Sequence, residues 1–325
     1  MKIRKEAFGY TLFTEQTSGM SGQKAAPFVV ELGEEAIYAA TTHLSAPEVV
    51  HLCITKRCNR NCEFCYVEKD ESEPSADEIK GLIDQLAEID VFQIAVGGGE
   101  PFLREDLFEI AEYAAKRDIK FNITTNGSLI DDSLSKRINE QIDHTQLTFT
   151  EYDGANLDAA SNLSRFGFNL LVTPAIASRF KDLLLLLDSY GPDNILLMDP
   201  KPTDLEWYNK NKLGTAEKNA IIKAAKQMQK RMTAKILVDS CFSFELDNTK
   251  GCMAARRICY VDYPYVYPCS FLVYEAMRMG DLREDKFINI WEKDSTAQDT
   301  FRDIGLKAAL RECYLLEQYK AKAVI

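Results

Sequence analysis

Six short apolar runs, each followed by a polar turn and an amphipathic stretch, fill residues 49–200 and leave this chain few folds to adopt. The runs are VVHLCIT (49–55), VFQIAV (91–96), KFNITT (120–125), QLTFT (146–150), NLLVTP (169–174) and NILLMD (194–199). Helix-like segments lie between them near 77–89, 105–117, 131–140, 155–165 and 179–190. The first begins at Ser75-Ala76-Asp77-Glu78, a capping sequence, and continues with Ile79, Leu82, Ile83 and Leu86 on one face. Strands alternating with helices imply a parallel sheet, so the expected class is α/β. Six units make a partial (β/α)6 barrel, short of the closed eight-unit form.

Residues 1–48 precede this repeat as a β-rich extension with two strand-like pieces, FGYTLF and PFVVEL. They are too few for an independent domain. The barrel is expected over 49–200, a linker and helix over 201–235, and a small second domain over 236–325. That last part holds a strand, KILVDSCF, then a cysteine-bearing hairpin and a helical tail. The net charge of −11, with no basic stripe, argues against a nucleic-acid partner. The longest aliphatic run, Leu183 to Leu187, is far too short to span a bilayer, so no membrane partner is expected. The opening MKIRKEAFGY lacks an apolar signal core, and a cytoplasmic protein is expected.

In such a compartment nine cysteines do not read as disulfides. They fall into an early group, Cys53, Cys58, Cys62 and Cys65, and a late group, Cys241, Cys252, Cys259, Cys269 and Cys313. This distribution suggests two metal sites. In the early group CNRNCEFC (58–65) spaces its thiols C-x3-C-x2-C, directly after the first strand, where parallel α/β folds place their sites. Thiolates suit zinc or an iron–sulfur cluster. A structural zinc needs four ligands, and Cys53, the one candidate fourth, lies inside a strand and reads as a small core residue. A cubane held by three cysteines instead leaves one iron open to an exogenous ligand.

This spacing, with Phe64 before the last cysteine, resembles the signature of the radical S-adenosylmethionine (radical SAM) superfamily, and the resemblance extends over most of residues 49–200. It implies a [4Fe–4S] cluster on Cys58, Cys62 and Cys65 whose open iron chelates S-adenosylmethionine, the source of a 5′-deoxyadenosyl radical. AVGGGEPF (95–102) is similar to the family's GGEP motif, which implies that Gly98, Gly99, Glu100 and Pro101 bind the cofactor's ammonium group. TTNG (124–127) implies Thr125 and Asn126 near the adenosyl moiety. Thr148 and Thr150 share a face of the fourth strand and are expected at the ribose, although this chain has TFTEYDG where the family usually shows Ser-Leu-Asp-Gly.

The stretch GCMAARRICYVDYPYVYPC (251–269) resembles the SPASM and twitch domains that follow the barrel in many radical SAM enzymes. Pro264 replaces a usual glycine, and a single cysteine, Cys313, stands where full SPASM domains carry several. One auxiliary [4Fe–4S] cluster is therefore expected, on Cys252, Cys269 and Cys313 with Cys241 as fourth ligand and a structural zinc as the alternative. Cys259, mid-strand, reads as packing. Tyr152, Asp153, Asp199 and Lys201 lie at strand ends, as substrate groups or as a solvated rim. Barrel plus SPASM or twitch implies modification of a peptide or protein side chain, with an electron donor such as flavodoxin or ferredoxin as partner. Cofactor maturation of the molybdopterin or haem type and a non-catalytic peptide-binding barrel are the rival readings.

Overall fold

The computed structural model describes residues 2–6, 9–14, 28–32, 43–149, 154–239 and 252–293. The chain divides into two compact units, one of Met1–Arg57, Lys69–Asn122 and Lys250–Ala309, the other of Cys58–Glu68, Ile123–Thr249 and Leu310–Ile325.

The first unit begins with three antiparallel strands, β1 (Lys2–Glu6), β2 (Gly9–Thr14) and β3 (Phe28–Leu32). β1 has no apolar alternation to betray it, because its inward residues are Arg4 and Glu6, both buried. Arg4 Nε donates to Glu6 Oε1 at 2.7 Å and Arg4 Nη1 to the Pro47 and Asp90 carbonyls at 3.1 and 3.3 Å. Its guanidinium lies 4.7 Å from the Phe92 ring centroid. A buried pair of this kind costs desolvation, which these added bonds and the cation–π contact offset.

After it come β4 (Val49–Thr55), α1 (Ala76–Glu88), β5 (Gln93–Gly98) and α2 (Leu107–Ala115). The α1 face of Ile79, Leu82, Ile83 and Leu86 is buried as its periodicity requires, behind a capping box of Ser75 and Glu78. β4 pairs in parallel with β5 on one side and with β11 (Ile258–Asp262) on the other. β12 (Tyr265–Tyr267) and β13 (Gly280–Asp281) follow antiparallel, and a cis Tyr263–Pro264 bond lies in the β11–β12 turn. The cysteine hairpin is thus hydrogen-bonded onto the first strand of the repeat. Trp291 Nε1 donates to Leu44 O at 2.8 Å, and Leu44 N to Arg256 O at 3.0 Å.

The division splits β6 (Lys120–Thr125) after Asn122. Within the second unit β7 (His144–Phe149), β8 (Phe166–Leu171), β9 (Asn194–Met198) and β10 (Lys235–Val238) are all parallel, in the order β10-β9-β8-β7. β8 stops earlier than NLLVTP suggests, because the Thr173 hydroxyl accepts from Ile176 N and Pro174 starts a helix. β10, KILV, was grouped by sequence with the second domain, yet it pairs with β9 and adds a seventh parallel strand to the series. The architecture is mixed α/β with a parallel sheet of the partial-barrel kind. Among the described residues no helix is long and apolar enough to cross a membrane.

Candidate functional site

In the first unit the glycine-rich turn after β5 closes on the end of β4. Gly99 N donates to Thr55 O and Glu100 N to Arg57 O, both at 2.8 Å, while Arg104 Nη1 reaches Ile54 O at 2.8 Å. A side chain at Gly99 would collide with the Arg57 carbonyl, its Cβ falling 2.7 Å from Arg57 C and 3.0 Å from Lys56 C. One at Gly98, whose φ is +106°, would meet Cys53 Sγ at 2.7 Å. These two glycines therefore serve a close approach of chain to chain, at the residue that precedes Cys58. The third, Gly97, has nothing within 4 Å of where a Cβ would stand. Glu100 is fully buried, its carboxylate accepting from Phe102 N at 3.2 Å, and Pro101 starts the turn that follows.

In the second unit the cysteine loop meets the end of β6. Asn126 Nδ2 donates to Asn59 Oδ1 and Asn59 Nδ2 to Ser128 Oγ, both at 2.9 Å. Asn126, expected beside the adenosyl group, thus binds the loop that carries Cys58. Thr125 is buried, and its hydroxyl accepts from Gly127 N at 3.0 Å, shaping the turn. Phe64 packs toward Trp207 at 6.1 Å between ring centroids. Thr148 stands opposite Asn169 in the β7–β8 register, and its carbonyl accepts from Asn156 Nδ2 at 2.6 Å. Asn169 is buried and its Oδ1 has no hydrogen-bond partner among the described residues, an unmet demand that suits a ligand. Its signal in the sequence was a lone amide within FGFNLL. Thr150, Tyr152 and Asp153 lie outside the described residues.

Cys58 and Cys62 are half-buried and Cys65 is exposed, with Cys65 N donating to Cys62 O at 3.1 Å. Among the described residues no three His, Cys, Asp or Glu side chains gather around a single ion. Three thiols on one loop are the donor chemistry a cubane takes, one thiolate per iron. Cys53 is core: it packs with Tyr260 and Tyr267, and burial pushes its thiol up to about 11. Cys259 is fully buried and its thiol is pushed up for the same reason. Cys252 and Cys269 are half-buried, and the buried Arg256 donates through Nε to the Cys252 carbonyl at 3.0 Å. Cys241 and Cys313 lie outside the described residues.

Asp199 and Lys201 are not a solvated rim. Asp199 is buried, with Lys218 Nζ at 2.7 Å from Oδ2 and Lys201 Nζ at 2.7 Å from its carbonyl. Lys201 also donates to Asp239 Oδ2 at 2.6 Å. Burial pushes the Asp199 carboxyl up, against the pull of Lys201 and Lys218.

The model of the radical SAM superfamily matches residues 52–158, and that of an iron–sulfur cluster-binding domain, SPASM, matches residues 252–314. The chain thus carries a radical SAM domain and a SPASM domain. The first domain implies a [4Fe–4S] cluster with S-adenosylmethionine and the second implies auxiliary iron–sulfur binding. The mycofactocin maturase MftC of Mycolicibacterium smegmatis is 26% identical over 77% of this chain and 71% of its own. Fe-coproporphyrin III synthase of Methanosarcina barkeri is 44% identical over 91 residues, which span 27% of this chain and only 23% of that protein. The structure of Streptococcus suis SuiB bound to its precursor peptide SuiA superposes with a TM-score of 0.70 at 17% identity, covering 86% of this chain and 74% of SuiB. At that identity the likeness to SuiB is one of fold.

Proposed function

We propose that this radical SAM enzyme modifies a side chain of a peptide or protein, by cross-linking, oxidation or epimerisation. The observations that carry the reading are the two domain matches, at residues 52–158 and 252–314, beside 26% identity to the maturase MftC over 77% of this chain and the fold shared with SuiB, solved bound to a precursor peptide. Cys58, Cys62 and Cys65 are the proposed cluster ligands, and Cys252 and Cys269, with Cys241 and Cys313, those of one auxiliary cluster. When bound, the first cluster and its S-adenosylmethionine supply one electron and a cleavable sulfonium, and so a 5′-deoxyadenosyl radical. The chain's own share is to place and shield. Gly98 and Gly99 let the turn close on the residue before Cys58, Glu100 and Pro101 fix that turn, and the Thr125 hydroxyl holds the β6 exit. Asn126 holds the cysteine loop, while Thr148 and Asn169, paired in the β7–β8 register, would take the adenosine, with Thr150 as the further candidate of the sequence. An electron donor of the flavodoxin or ferredoxin type and a cytoplasmic setting complete the proposal.

A second reading, haem-type cofactor maturation on a small molecule, is favoured by the 44% identity to Fe-coproporphyrin III synthase. One experiment tests both. Anaerobically reconstituted protein is given reductant and S-adenosylmethionine, with either a short peptide encoded beside the gene or an iron porphyrin. Cleavage to 5′-deoxyadenosine that rises with the peptide, which gains a mass change, supports the proposal, and a rise with the porphyrin alone replaces it. The Cys58→Ala/Cys62→Ala/Cys65→Ala variant should cleave nothing. Equal cleavage by that variant would refute the ligand assignment.

A further inference from the structure

The cysteine loop leaves β4 at Arg57 and returns at Glu73, two residues before the Ser75 cap of α1. Its two ends are joined directly. Arg57 Nε donates to Glu73 Oε1 at 2.8 Å and Arg57 Nη2 to Glu73 Oε2 at 3.0 Å, the two-pronged geometry of a guanidinium on a carboxylate. The Thr55 hydroxyl donates to Glu73 Oε1 as well, and Arg57 Nη2 reaches Leu103 O at 3.1 Å. Arg57 is meanwhile held by its backbone: its N–H donates to Thr55 Oγ1 at 3.1 Å and its carbonyl accepts from Glu100 N at 2.8 Å. The outgoing end is thus bonded to β4 and the glycine turn, and the returning end runs within two residues into the cap of α1. The ion pair ties the two ends together.

We propose that Arg57 and Glu73 form a clasp at the neck of the cysteine loop, positioning residues that hold its three thiolates at cluster spacing and set how firmly the cluster is retained. The inference rests on the assignment of Cys58, Cys62 and Cys65 as ligands. An isolated ion pair at this exposure, 34% and 20% of the two side chains, contributes little to global stability. A clasp differs from such a pair in what it controls. Opening it frees the loop ends without unfolding β4 or α1, so the effect falls on the metal rather than on the fold.

The test compares wild type with Glu73→Gln, Arg57→Lys and the exchanged pair Arg57→Glu/Glu73→Arg, all reconstituted anaerobically. Iron release to a chelator is followed by absorbance, the reduced cluster by EPR with and without S-adenosylmethionine, and the apo proteins by thermal unfolding. Glu73→Gln should release the early-cluster iron about tenfold faster, the scale of one lost charge-assisted contact. Its EPR signal should broaden while apo unfolding stays near wild type. Arg57→Lys keeps the charge but loses the fork, and should move the same way. The exchanged pair should recover most of the retention. Release and EPR unchanged in both single variants would overturn the clasp, as would release that only tracks a lower unfolding temperature without recovery in the exchanged pair. Wild-type protein that binds no cluster would overturn the ligand assignment itself, a failure visible before any variant is compared.

Discussion

Replacing Gly99 by alanine tests whether the glycine turn exists to let two backbone segments touch. The added Cβ would fall inside contact with the Arg57 carbonyl, 2.7 Å from Arg57 C and 3.0 Å from Lys56 C, and these are backbone atoms that cannot swing aside. Relief requires the turn to move off β4, stretching the bonds from Gly99 N to Thr55 O and from Glu100 N to Arg57 O, each 2.8 Å long. Overpacking of this kind costs about 1–3 kcal/mol. Two weakened backbone bonds add about 0.5–1.5 kcal/mol each, so about 3 kcal/mol is expected in all. For a chain of this size that lowers the unfolding midpoint by about 4 °C. Gly97→Ala is the control, since its Cβ meets nothing within 4 Å and its stability should match wild type. The assay is thermal unfolding of both apo variants by circular dichroism, followed by iron content after reconstitution. Gly99→Ala should unfold early and load less iron. A Gly99→Ala protein with the wild-type midpoint and full iron would refute the reasoning, as would a Gly97→Ala protein destabilised equally.

Two further outcomes follow from burial. With its thiol pushed up to about 11, Cys53 holds roughly one part in a thousand of thiolate at pH 8, and the fraction grows only as pH rises. In the apo protein, iodoacetamide at pH 8 should therefore modify Cys58, Cys62 and Cys65 and spare Cys53 and Cys259, read by mass mapping; early labelling of Cys53 would contradict its place in the core. Arg4→Ala leaves Glu6 buried without its cation and should cost about 3–5 kcal/mol, while Arg4→Ala/Glu6→Gln should cost less. Equal midpoints for wild type and Arg4→Ala would show that the pair is not closed in solution.

What the sequence alone determined was whatever is encoded locally. Six strands and the helices between them were legible because the apolar period switches within a few residues, and the α1 start because Ser75 and Glu78 satisfy each other's backbone. The cysteine spacing was legible for the same reason: ligands that share one loop must be close in sequence. β1 stayed hidden, since its inward face is an ion pair and no hydrophobicity pattern marks that. The partners of KILV and of the 258–262 strand were decided only by tertiary pairing, with β9 and with β4, because a hydrogen-bonded strand edge accepts any run of suitable alternation from anywhere in the chain. The same holds within the site. The GGEP resemblance picked out Gly98 and Gly99, but only the fold supplies their steric reason, contact with Cys53, Thr55 and Arg57, where Gly97 meets nothing within 4 Å among the described residues. Asn126 and Asn59 lie 67 residues apart, and Arg57 and Glu73 lie 16 apart across a loop. Their contacts depend on where β4, β6 and α1 come to rest, which is a property of the packed core and not of any window of sequence.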